Sequence, residues 1–403
     1  ATAQPGADND RCDGLSPTDA GGGHCPFKDF SAERTKRLLD QTKSVRVSVR
    51  AGTYVIAGWE GIRVAGAGTS EGERVILSAY PGEKVVFDVA DPEGVSCKGQ
   101  DPTTAPACVR EVVRVSGTYT LVQGITIQNG LAFDLEITGG AHHEARCNTF
   151  THTSGWVSSD SLKLDALATD VRIHHNDFTR WRSQAIDITG VSNVLVEENE
   201  FHDPLDADGG ALGIKFGARD ITVRRNHVHH LGAATNAHVF ALGGTGSPHP
   251  DDFSAYGVHV VDNRVHDVRG ILAQITTCDG CSVERNDVSD LGAGILVSRS
   301  GTGGSDCSTV ATGCNASRGT KVAGNRMRHL DGGGDAAQAN LFVWVEGGEG
   351  AGLAVADNLY CATSAAEARF GWETKLMDFA AWQQASATDA TSKVLALADP
   401  ACA

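Results

Sequence analysis

The sequence of 403 residues contains two methionines and 11 prolines, and aromatic residues make up only 6% of it. It also lacks any long stretch rich in alanine, glutamate, lysine and leucine, so long helices are not expected. Glycine, in contrast, occurs 48 times, and this composition predicts many short strands joined by tight turns. Because 403 residues exceed the usual size of one globular core, we expect either two domains or one elongated domain that grows by repetition.

A basic surface and a membrane-spanning segment are also missing. The 34 lysines and arginines and the 50 aspartates and glutamates give a formal net charge of -16, which argues against a nucleic-acid partner because phosphate binding requires a basic face. No apolar run approaches the roughly 20 residues of a transmembrane helix, and no signal peptide is recognisable. We therefore expect a mature exported chain, extracellular or periplasmic, that is monomeric and does not contact a membrane.

Eleven cysteines are many for a cytosolic enzyme. Cys147 is predicted to be a lone thiol on a strand edge. The other ten form five pairs in sequence order, which we predict to be disulfides: Cys12 with Cys25, Cys97 with Cys108, Cys278 with Cys281, Cys307 with Cys314, and Cys361 with Cys402. Zinc binding by Cys278 and Cys281 is less favoured, because no second CxxC motif follows.

A repeated frame of apolar, any, apolar, any, any, Asn, any, apolar runs along most of the chain. Its copies lie at intervals of 23 to 39 residues, and the extra residues fall in segments rich in glycine, serine or aspartate that are typical of turn insertions. The copies are "VRIHHNDF" at Asn176, "VLVEENEF" at Asn199, "ITVRRNHV" at Asn226, "VHVVDNRV" at Asn263, "CSVERNDV" at Asn286, "TKVAGNRM" at Asn325, "LAVADNLY" at Asn358 and, more weakly, "HEARCNTF" at Asn148.

This frame predicts one strand before each asparagine, a sharp bend at it, and a second strand after it. Asparagine tolerates left-handed backbone geometry, and stacked asparagine amides can hydrogen-bond to one another inside a dry core. The prediction is an all-β fold, a single-stranded right-handed parallel β-helix with an internal asparagine ladder. We expect a disulfide-stapled segment with a capping helix at 1–44 (helical spacing at 31–42), the β-helix at 45–360, and a C-terminal cap at 361–403 formed in part by 371–386.

Several segments resemble the secreted right-handed β-helix proteins that include the polysaccharide lyases. The opening coils of that superfamily are similar to "AGTYVIAGWEGIRVAG", "VILSAYPGEKVVFD" and "VVRVSGTYTLVQGITIQNG", and its closing segment is similar to "MDFAAWQQASATDATS". The resemblance covers roughly residues 45 to 400, and most of these motifs indicate fold rather than chemistry.

A third strand precedes each asparagine frame, in "DLEIT", "SLKLD", "AIDIT" and "GIKFG". Aligning the four on their apolar alternation predicts that one outward column contains Glu136, Lys163, Asp187 and Lys215, since side chains alternate faces. A parallel column would contain Thr138, Asp165, Thr189 and Gly217. A solvated salt ladder is the simpler explanation of these charges, because surface ion pairs contribute little.

Features around this column favour a sugar-binding site instead. Aromatic rings and arginines beside a groove suit a sugar that carries carboxylates. The predicted substrate-binding residues are Glu136, Trp156, Arg180, Trp181, Arg182 and Arg225. The tryptophans fit equally well as buried plugs.

Eliminating the C4 substituent of a uronic acid requires a base near the C5 proton and neutralisation of the adjacent carboxylate. The segment "DGGALGIKFG" resembles the Asp-Gly to Lys stretch of β-helix pectate lyases whose base is lysine. That resemblance implies that Lys215 is the base and that Asp187 and Asp208, with Asp165 or Asp206, bind calcium, which prefers oxygen ligands. Lys163, in the same charged column, is a further catalytic candidate. Arg219 or Arg225 could imitate the lysine and arginine pair of alginate and dermatan lyases on this fold, and His238 is a candidate acid.

The predicted function is therefore a secreted polysaccharide lyase that acts on an acidic polysaccharide by β-elimination. One alternative is a glycoside hydrolase using Asp165 with Asp187 or Glu136 with Asp165. Another is a non-catalytic glycan-binding or structural β-helix. His202, His229 and His266 share the third position after the asparagine, and we expect a stacked outward column rather than a zinc site because no HExxH-like signature is present.

Overall fold

The structure of the protein is a computed structural model. It describes residues 27–28, 30, 37–40, 42–57, 61–89, 109–153, 160–165, 167–205, 209–231, 238–244, 253–298, 316–334, 338–346 and 350–402. The chain divides into two compact units, residues 1–181 and residues 182–403. The domain boundaries that the sequence suggests at 44/45 and 360/361 stay predictions, although the first strand does begin at Val45.

Short strands make up most of the first unit. They are β1 (Val45–Val49), β2 (Gly52–Ile56), β3 (Ile62–Val64), β4 (Val75–Ala79), β5 (Val85–Val89), β6 (Glu111–Val115), β7 (Thr120–Gln123), β8 (Ile125–Gln128), β9 (Phe133–Thr138), β10 (Ala141–Arg146), β11 (Thr149–Thr151), β12 (Asp160–Asp165), β13 (Thr169–His174) and β14 (Asp177–Thr179).

The second unit continues the numbering. Its strands are β15 (Gln184–Thr189), β16 (Ser192–Glu197), β17 (Glu200–His202), β18 (Gly210–Lys215), β19 (Ala218–Arg224), β20 (His227–Leu231), β21 (His238–Gly243), β22 (Ala255–Val261), β23 (Arg264–Thr276), β24 (Cys278–Asp279), β25 (Ser282–Glu284), β26 (Asp287–Ser298), β27 (Lys321–Ala323), β28 (Arg326–Leu330), β29 (Leu341–Val345), β30 (Ala354–Ala356), β31 (Leu359–Ala362), β32 (Arg369–Trp372), β33 (Lys375–Met377) and β34 (Lys393–Ala396).

Each coil contributes three strands, and strands at the same position of successive coils pair in parallel. In the first unit the first stack is β1, β4, β7, β10 and β13, the second is β2, β5, β8, β11 and β14, and the third is β3, β6, β9 and β12. Crossovers between parallel strands of one sheet are right-handed in about 98% of cases. The fold is a right-handed parallel β-helix, as the repeat predicts.

The second unit has the same three stacks. The first is β16, β19, β22, β25, β27 and β30, the second is β17, β20, β23, β26, β28, β31 and β34, and the third is β15, β18, β21, β23, β26, β29 and β32. The strands β23 and β26, with 13 and 12 residues, are long enough to serve both the second and the third stack. β33 forms an antiparallel hairpin with β32.

Apolar side chains from all three stacks fill the inside of the coils. In the first unit Phe150 and Phe178, on successive strands of the second stack, are fully buried with ring centroids 4.7 Å apart. Because one coil cannot bury its apolar face alone, stability comes from stacking on the next coil.

The asparagine ladder is confirmed in both units. In the first unit, the Nδ2 of Asn148 donates to the Oδ1 of Asn176 at 3.1 Å. In the second unit the same side-chain bond measures 3.0 Å in every pair of the series Asn199, Asn226, Asn263, Asn286, Asn325 and Asn358. All these asparagines are buried, so each amide is satisfied by its neighbours in the stack.

The prediction that asparagine occupies the bend because it tolerates left-handed backbone geometry is wrong. The left-handed conformation belongs to the residue before each ladder asparagine, where φ lies between 53° and 66°. These residues are Cys147, His175, Glu198, Arg225, Asp262, Arg285, Gly324 and Asp357. The ladder position therefore favours asparagine for its amide, which both donates and accepts, and not for its backbone.

The two predicted caps are described to different extents. At the N-terminal end, residues 31–36 lie outside the described residues, and a 3₁₀ helix spans Arg37–Asp40. At the other end, helix α1 (Phe379–Ser386) begins after Asp378, whose carboxylate accepts from the Ala381 backbone N–H at 2.9 Å. The fully buried Trp382 of α1 lies 5.7 Å from the Phe370 ring of β32. Short 3₁₀ helices also occur at Gly332–Gly334, Ala365–Glu367 and Pro400–Cys402.

Two of the five predicted disulfides fall on described residues and are present, Cys278–Cys281 and Cys361–Cys402. The pairs Cys12 with Cys25, Cys97 with Cys108, and Cys307 with Cys314 lie outside the described residues. Cys147 is an unpaired, exposed thiol, as predicted. Among the described residues, no helix has the length and apolar character that a bilayer span requires.

Candidate functional site

The third stack of the first unit has the register that the sequence predicts. Glu136 of β9 lies beside Lys163 of β12, and Thr138 lies beside Asp165. The row extends in the other direction to Arg114 of β6. Arg63 of β3 lies beside Arg114 in turn. An outward row of three cations around one carboxylate therefore runs across four coils.

In the second unit, the predicted register is wrong by two residues. Asp187 of β15 lies beside Gly213 of β18, and Lys215 lies beside Thr189. A shift of two keeps every apolar side chain on the inner face, so apolar alternation alone does not distinguish the two alignments.

The lysine nevertheless reaches the aspartate. The Nζ of Lys215 lies 3.0 Å from the Oδ1 of Asp187, because its long side chain crosses the diagonal between the two strands. The Asp187 side chain is 6% exposed and that of Lys215 is 26% exposed, so the lysine covers a nearly buried carboxylate and still meets solvent.

Gly213 provides space beside Asp187. A Cβ at Gly213 would lie 1.9 Å from the Oε1 of Gln184. The Gln184 side chain therefore lies across this glycine, next to the ion pair. Only a residue without a side chain permits that arrangement.

The outward row that contains Asp187 continues along the third stack. It passes from Asp187 to Gly213, Ala241, Gln274, Leu296 and Trp344. Five steps of about 4.8 Å between paired strands give a row about 24 Å long. Two small residues, one polar residue and one leucine separate its charged end from its aromatic end.

An apolar pocket lies at the aromatic end of this row. It has a volume of about 180 Å³ and is lined by Ile271, Ala293, Leu296, Leu341, Trp344 and Glu346, among others. Gly371 leaves room for the indole, since a Cβ there would lie 2.6 Å from the Cγ of Trp344. The indole Nε1 donates to the Glu373 carbonyl at 3.2 Å. The ring is thus held in place at the pocket wall.

Glu111 was missed in the sequence. It is fully buried at the start of β6, and burial, followed by its contact with Glu136, raises its pKa to about 8. The Nη1 of Arg110 lies 2.5 Å from the Oε1 of Glu111 and 3.5 Å from the Oε1 of Glu136. With its pKa raised to about 8, Glu111 keeps its proton at neutral pH.

Local sequence contains a signal for this pair. The segment "REVVR" places two arginines around Glu111, but β6 precedes the asparagine frames and was not aligned with the later third strands. Glu136 itself is only 2% exposed, and the Nε of Arg114 lies 3.3 Å from its Oε2. Its carboxylate is directed to arginines rather than to a ligand, contrary to the predicted substrate-binding role.

A second buried acid lies on β9. Asp134 accepts from the Gly130 backbone N–H at 3.0 Å, and the Nε2 of His152 lies 3.2 Å from its Oδ2. Burial raises the pKa of Asp134, and His152 opposes that shift.

The predicted aromatic and arginine contacts are distributed differently. Trp181 is fully buried, so it offers no ring face to a sugar. Arg180 is exposed, and its Nε donates to the His152 carbonyl at 2.6 Å. Arg182 is half-buried. Trp156 lies outside the described residues.

Arg219 and Arg225 lie on other elements than Lys215. Arg219 is on β19, with its guanidinium 5.1 Å from the centre of the Tyr256 ring. Arg225 is at the bend after β19, where its Nε lies 2.9 Å from the Oε1 of Glu198 and its Nη2 lies 2.5 Å from the Oε2 of Glu197. A strand of seven residues separates it from the turn after Lys215, so Arg225 does not join the ion pair.

His238 begins β21, and burial lowers its pKa to about 4. Its imidazole is therefore neutral at pH 7. A neutral ring accepts a proton more readily than it supplies one to a leaving oxygen, which disfavours the predicted acid role.

The predicted calcium ligands are only partly described. Asp206 and Asp208 lie outside the described residues, and Asp165 is on β12 of the first unit. Asp187 is a hard oxygen donor of the kind that calcium prefers, but its partner is the ammonium group of Lys215. The described residues alone do not assemble a calcium site.

Comparisons with known proteins agree with this fold. Residues 111–248 match a protein-family model described as "Right handed beta helix region". None of the curated protein sequences matches the chain at a significant level.

Solved structures resemble the chain over most of its length. The pectate lyase Pel9A is 12% identical with a TM-score of 0.50, covering 86% of this chain and 76% of its own. A mannuronic acid specific polysaccharide family 6 lyase from human gut microbiota is 12% identical with a TM-score of 0.49, covering 85% and 81%. PfbA, a surface adhesin of Streptococcus pneumoniae, is 10% identical with a TM-score of 0.43, covering 71% and 80%. At 12% identity the likeness to the pectate lyase shows the fold alone and leaves the chemistry to the residues.

Proposed function

We propose that this right-handed β-helix protein is a secreted polysaccharide lyase that cleaves an acidic, uronate-containing polysaccharide by β-elimination, with Lys215 as the base. The observation that carries the proposal is the ion pair on the outer face of the third stack, with the Nζ of Lys215 3.0 Å from the Oδ1 of Asp187. Its lysine is partly exposed and therefore accessible to a polymer lying along the row.

The chemistry requires the unprotonated amine of Lys215 to remove the proton from C5 of the uronate. The electron pair of that C–H bond forms the C4–C5 double bond, the bond from C4 to the glycosidic oxygen breaks, and the leaving oxygen takes up a proton. The negative charge that develops on the uronate carboxylate must be stabilised by nearby positive groups.

Calcium is part of the proposal. Asp187, with Asp206 and Asp208, would hold the ion, which would neutralise the uronate carboxylate. Since Asp187 is paired with Lys215, a cation that bound this carboxylate would have to take the place of the ammonium group.

The aromatic end of the row supports a polymeric substrate. A pocket of about 180 Å³ beside Trp344 offers an apolar face to a sugar ring. The row from Asp187 to Trp344, about 24 Å long, is long enough for several sugars. Binding energy at Trp344 would position the polymer over Lys215.

The proposal is tested by incubating the protein with pectate, alginate, glucuronan and glycosaminoglycans, with calcium and with a chelator, and following the ultraviolet absorbance of the new double bond. Lys215→Met is expected to lower turnover by about 10²- to 10⁴-fold while binding persists. Lys321→Met is the matched control, because the Nζ of Lys321 also pairs with a carboxylate, that of Glu284, at 2.6 Å. Trp344→Ala is expected to raise KM more than it lowers kcat.

Absence of the double bond on every polymer, with and without calcium, would refute lyase activity. New reducing ends without the double bond would indicate glycoside hydrolysis instead. Of the carboxylates predicted for hydrolysis, Glu136 is nearly buried and paired with Arg114, an arrangement that does not suit the acid or base of a glycosidase. Polymer binding without any turnover would indicate a glycan-binding β-helix.

A further inference from the structure

Histidines form a stacked column on the second stack of the second unit. His202 of β17, His229 of β20 and His266 of β23 lie in register, as their shared frame position predicts. The rings of His202 and His229 are stacked with centroids 5.3 Å apart, and those of His229 and His266 are stacked at 5.4 Å. Glu200 and His227 lie side by side in the adjacent outward position.

Glu200 lies between two imidazole rings. Its Oε1 is 3.0 Å from the Nε2 of His229 and 3.7 Å from the Nδ1 of His227. Glu200, His227 and His229 each offer one ligand atom, and these three atoms all lie within 4.8 Å of one another.

These separations suit a metal ion. With metal–ligand bonds of about 2.0 to 2.1 Å, the ligand atoms of a tetrahedral zinc complex are about 3.3 Å apart. The two separations from Glu200, 3.0 and 3.7 Å, already lie within a few tenths of an ångström of that spacing, and the two imidazole nitrogens are no more than 4.8 Å apart. We propose that Glu200, His227 and His229 form a binding site for a divalent transition-metal ion of the zinc type.

The donor set discriminates between metals. Two imidazole nitrogens and one carboxylate oxygen suit zinc and its neighbours in the first transition row, whereas calcium and magnesium prefer oxygen ligands alone. This site is therefore distinct in chemistry from the calcium ion of the proposed lyase centre, and it does not depend on the proposed function.

Outer partners orient both rings. The Nε2 of His227 lies 2.8 Å from the Nε2 of His266, whose Nδ1 lies 2.7 Å from the Oδ2 of Asp267. When the Nδ1 of His227 binds the metal, its Nε2–H donates to His266 and the Nδ1–H of His266 donates to Asp267. A metal-bound imidazole usually donates its other N–H to a carboxylate, a carbonyl or water, and here the imidazole of His266, itself held by Asp267, is the acceptor.

The other ligand ring is supported in the same way. The Nδ1 of His229 lies 2.6 Å from the Nδ1 of His230. Without metal, the Nε2–H of His229 can donate to Glu200. With metal at Nε2, the proton of His229 resides on Nδ1 and is donated to His230. The N–H of each ligand ring therefore keeps a hydrogen-bond acceptor, and the Glu200 carboxylate binds the metal in place of the His229 N–H.

The site is open to solvent on one side. The side chains of Glu200, His227 and His229 are 52%, 37% and 14% exposed, which permits water to complete the coordination. The ligands come from β17 and β20, and His266 adds β23. A bound ion would therefore link two coils directly and a third through the hydrogen bond to His266. It would raise the thermal stability of the chain, because a ligand that binds only the folded state stabilises it.

The test uses the untagged full chain, stripped with a chelator and carrying Cys147→Ser, because an exposed thiol such as that of Cys147 is a competing zinc ligand. Calorimetric titration with Zn²⁺ is expected to show one ion per chain and a rise in Tm. Co²⁺ in its place is expected to give the visible absorption of a four- or five-coordinate nitrogen and oxygen site.

Variants locate the ion. His229→Ala and Glu200→Gln are expected to weaken Zn²⁺ binding by at least about tenfold, and His266→Ala by about 10- to 100-fold as a positioning residue. His329→Ala is the matched control, because His329 of β28 also pairs with a carboxylate, with its Nδ1 2.6 Å from the Oδ1 of Asp290, and it should leave the affinity unchanged.

Glu200→Gln alters only a partly exposed carboxylate, so it keeps the test valid if a histidine variant fails to fold. Zn²⁺ binding that is absent, or equally strong in Glu200→Gln and the control, would overturn the assignment.

Discussion

Removing one amide from the middle of the asparagine ladder tests the physical basis of the fold. The Nδ2 of Asn263 donates to the Val223 carbonyl and to the Oδ1 of Asn286, both at 3.0 Å. Its own Oδ1 accepts from the backbone N–H of Asn226 at 2.9 Å and from the Nδ2 of Asn226 at 3.0 Å. Asn263→Ala removes all four hydrogen bonds and leaves the Asn226 backbone N–H buried without its partner.

The expected loss follows from these contacts. A typical hydrogen bond contributes about 0.5 to 1.5 kcal/mol net, and a buried donor left unsatisfied costs about 1 to 3 kcal/mol. The four bonds together predict that Asn263→Ala lowers the free energy of unfolding by about 4 kcal/mol. This is a large fraction of the roughly 5 to 15 kcal/mol that holds a typical domain folded.

Urea unfolding followed by circular dichroism measures this loss, and hydrogen exchange at the Asn226 amide reports whether it is local. Asn193→Ala is the control, because Asn193 is exposed and outside the ladder. Its φ is 55°, so this replacement is expected to cost about 1 kcal/mol through backbone strain alone. Equal losses in the two variants would refute the view that the ladder amides stabilise the stacked coils.

Three further changes test buried groups. Burial raises the pKa of Glu111 from its ordinary 4.5 to about 8, so the folded state holds an extra proton between these two pH values. The free energy of unfolding of the wild type should therefore fall as pH rises through that window. Glu111→Gln should flatten this pH dependence in urea unfolding measured at several pH values, and an unchanged slope would contradict the prediction. Trp181→Ala removes a fully buried ring and should lower the free energy of unfolding by about 3 to 5 kcal/mol without weakening polysaccharide binding in a retention assay. Unchanged stability with weaker binding would instead support a substrate-binding role for Trp181. Cys402→Ser removes the disulfide to Cys361, which joins residues 41 positions apart in sequence. The loss of this constraint on the unfolded chain should lower the free energy of unfolding by about 4 kcal/mol and speed up proteolysis of the C-terminal segment. Equal cleavage rates in the variant and the wild type would refute the estimate.

The fold was accessible from sequence because the chain repeats itself. The frame around Asn226 and Asn263 encodes an inward strand face and a buried amide in each coil, and a pattern repeated many times outweighs ambiguity in any single copy. The same local pattern fixed which residues of β9 and β12 point outward, and Glu136 does lie beside Lys163.

The candidate site depended on contacts that the pattern does not contain. A strand period of two leaves a shift of two residues undetermined, so only pairing in three dimensions decided that Lys215 lies beside Thr189 and reaches Asp187 along a diagonal. Burial likewise decided the role of Trp181, because a tryptophan in a loop fits a sugar site or a core equally well until its surroundings are known.

Sequence by itself determined the stacking coils, the ladder and the outward histidine column, because each follows from a short pattern of residues that repeats along the chain. Tertiary structure alone decided which charges meet. Glu111 joins Glu136 from the preceding coil, and Glu200 reaches His229 of the next coil. Such partners are separated by a full coil of chain whose length varies with its loops, and the energy of a charged contact depends on distances and burial that no local pattern specifies.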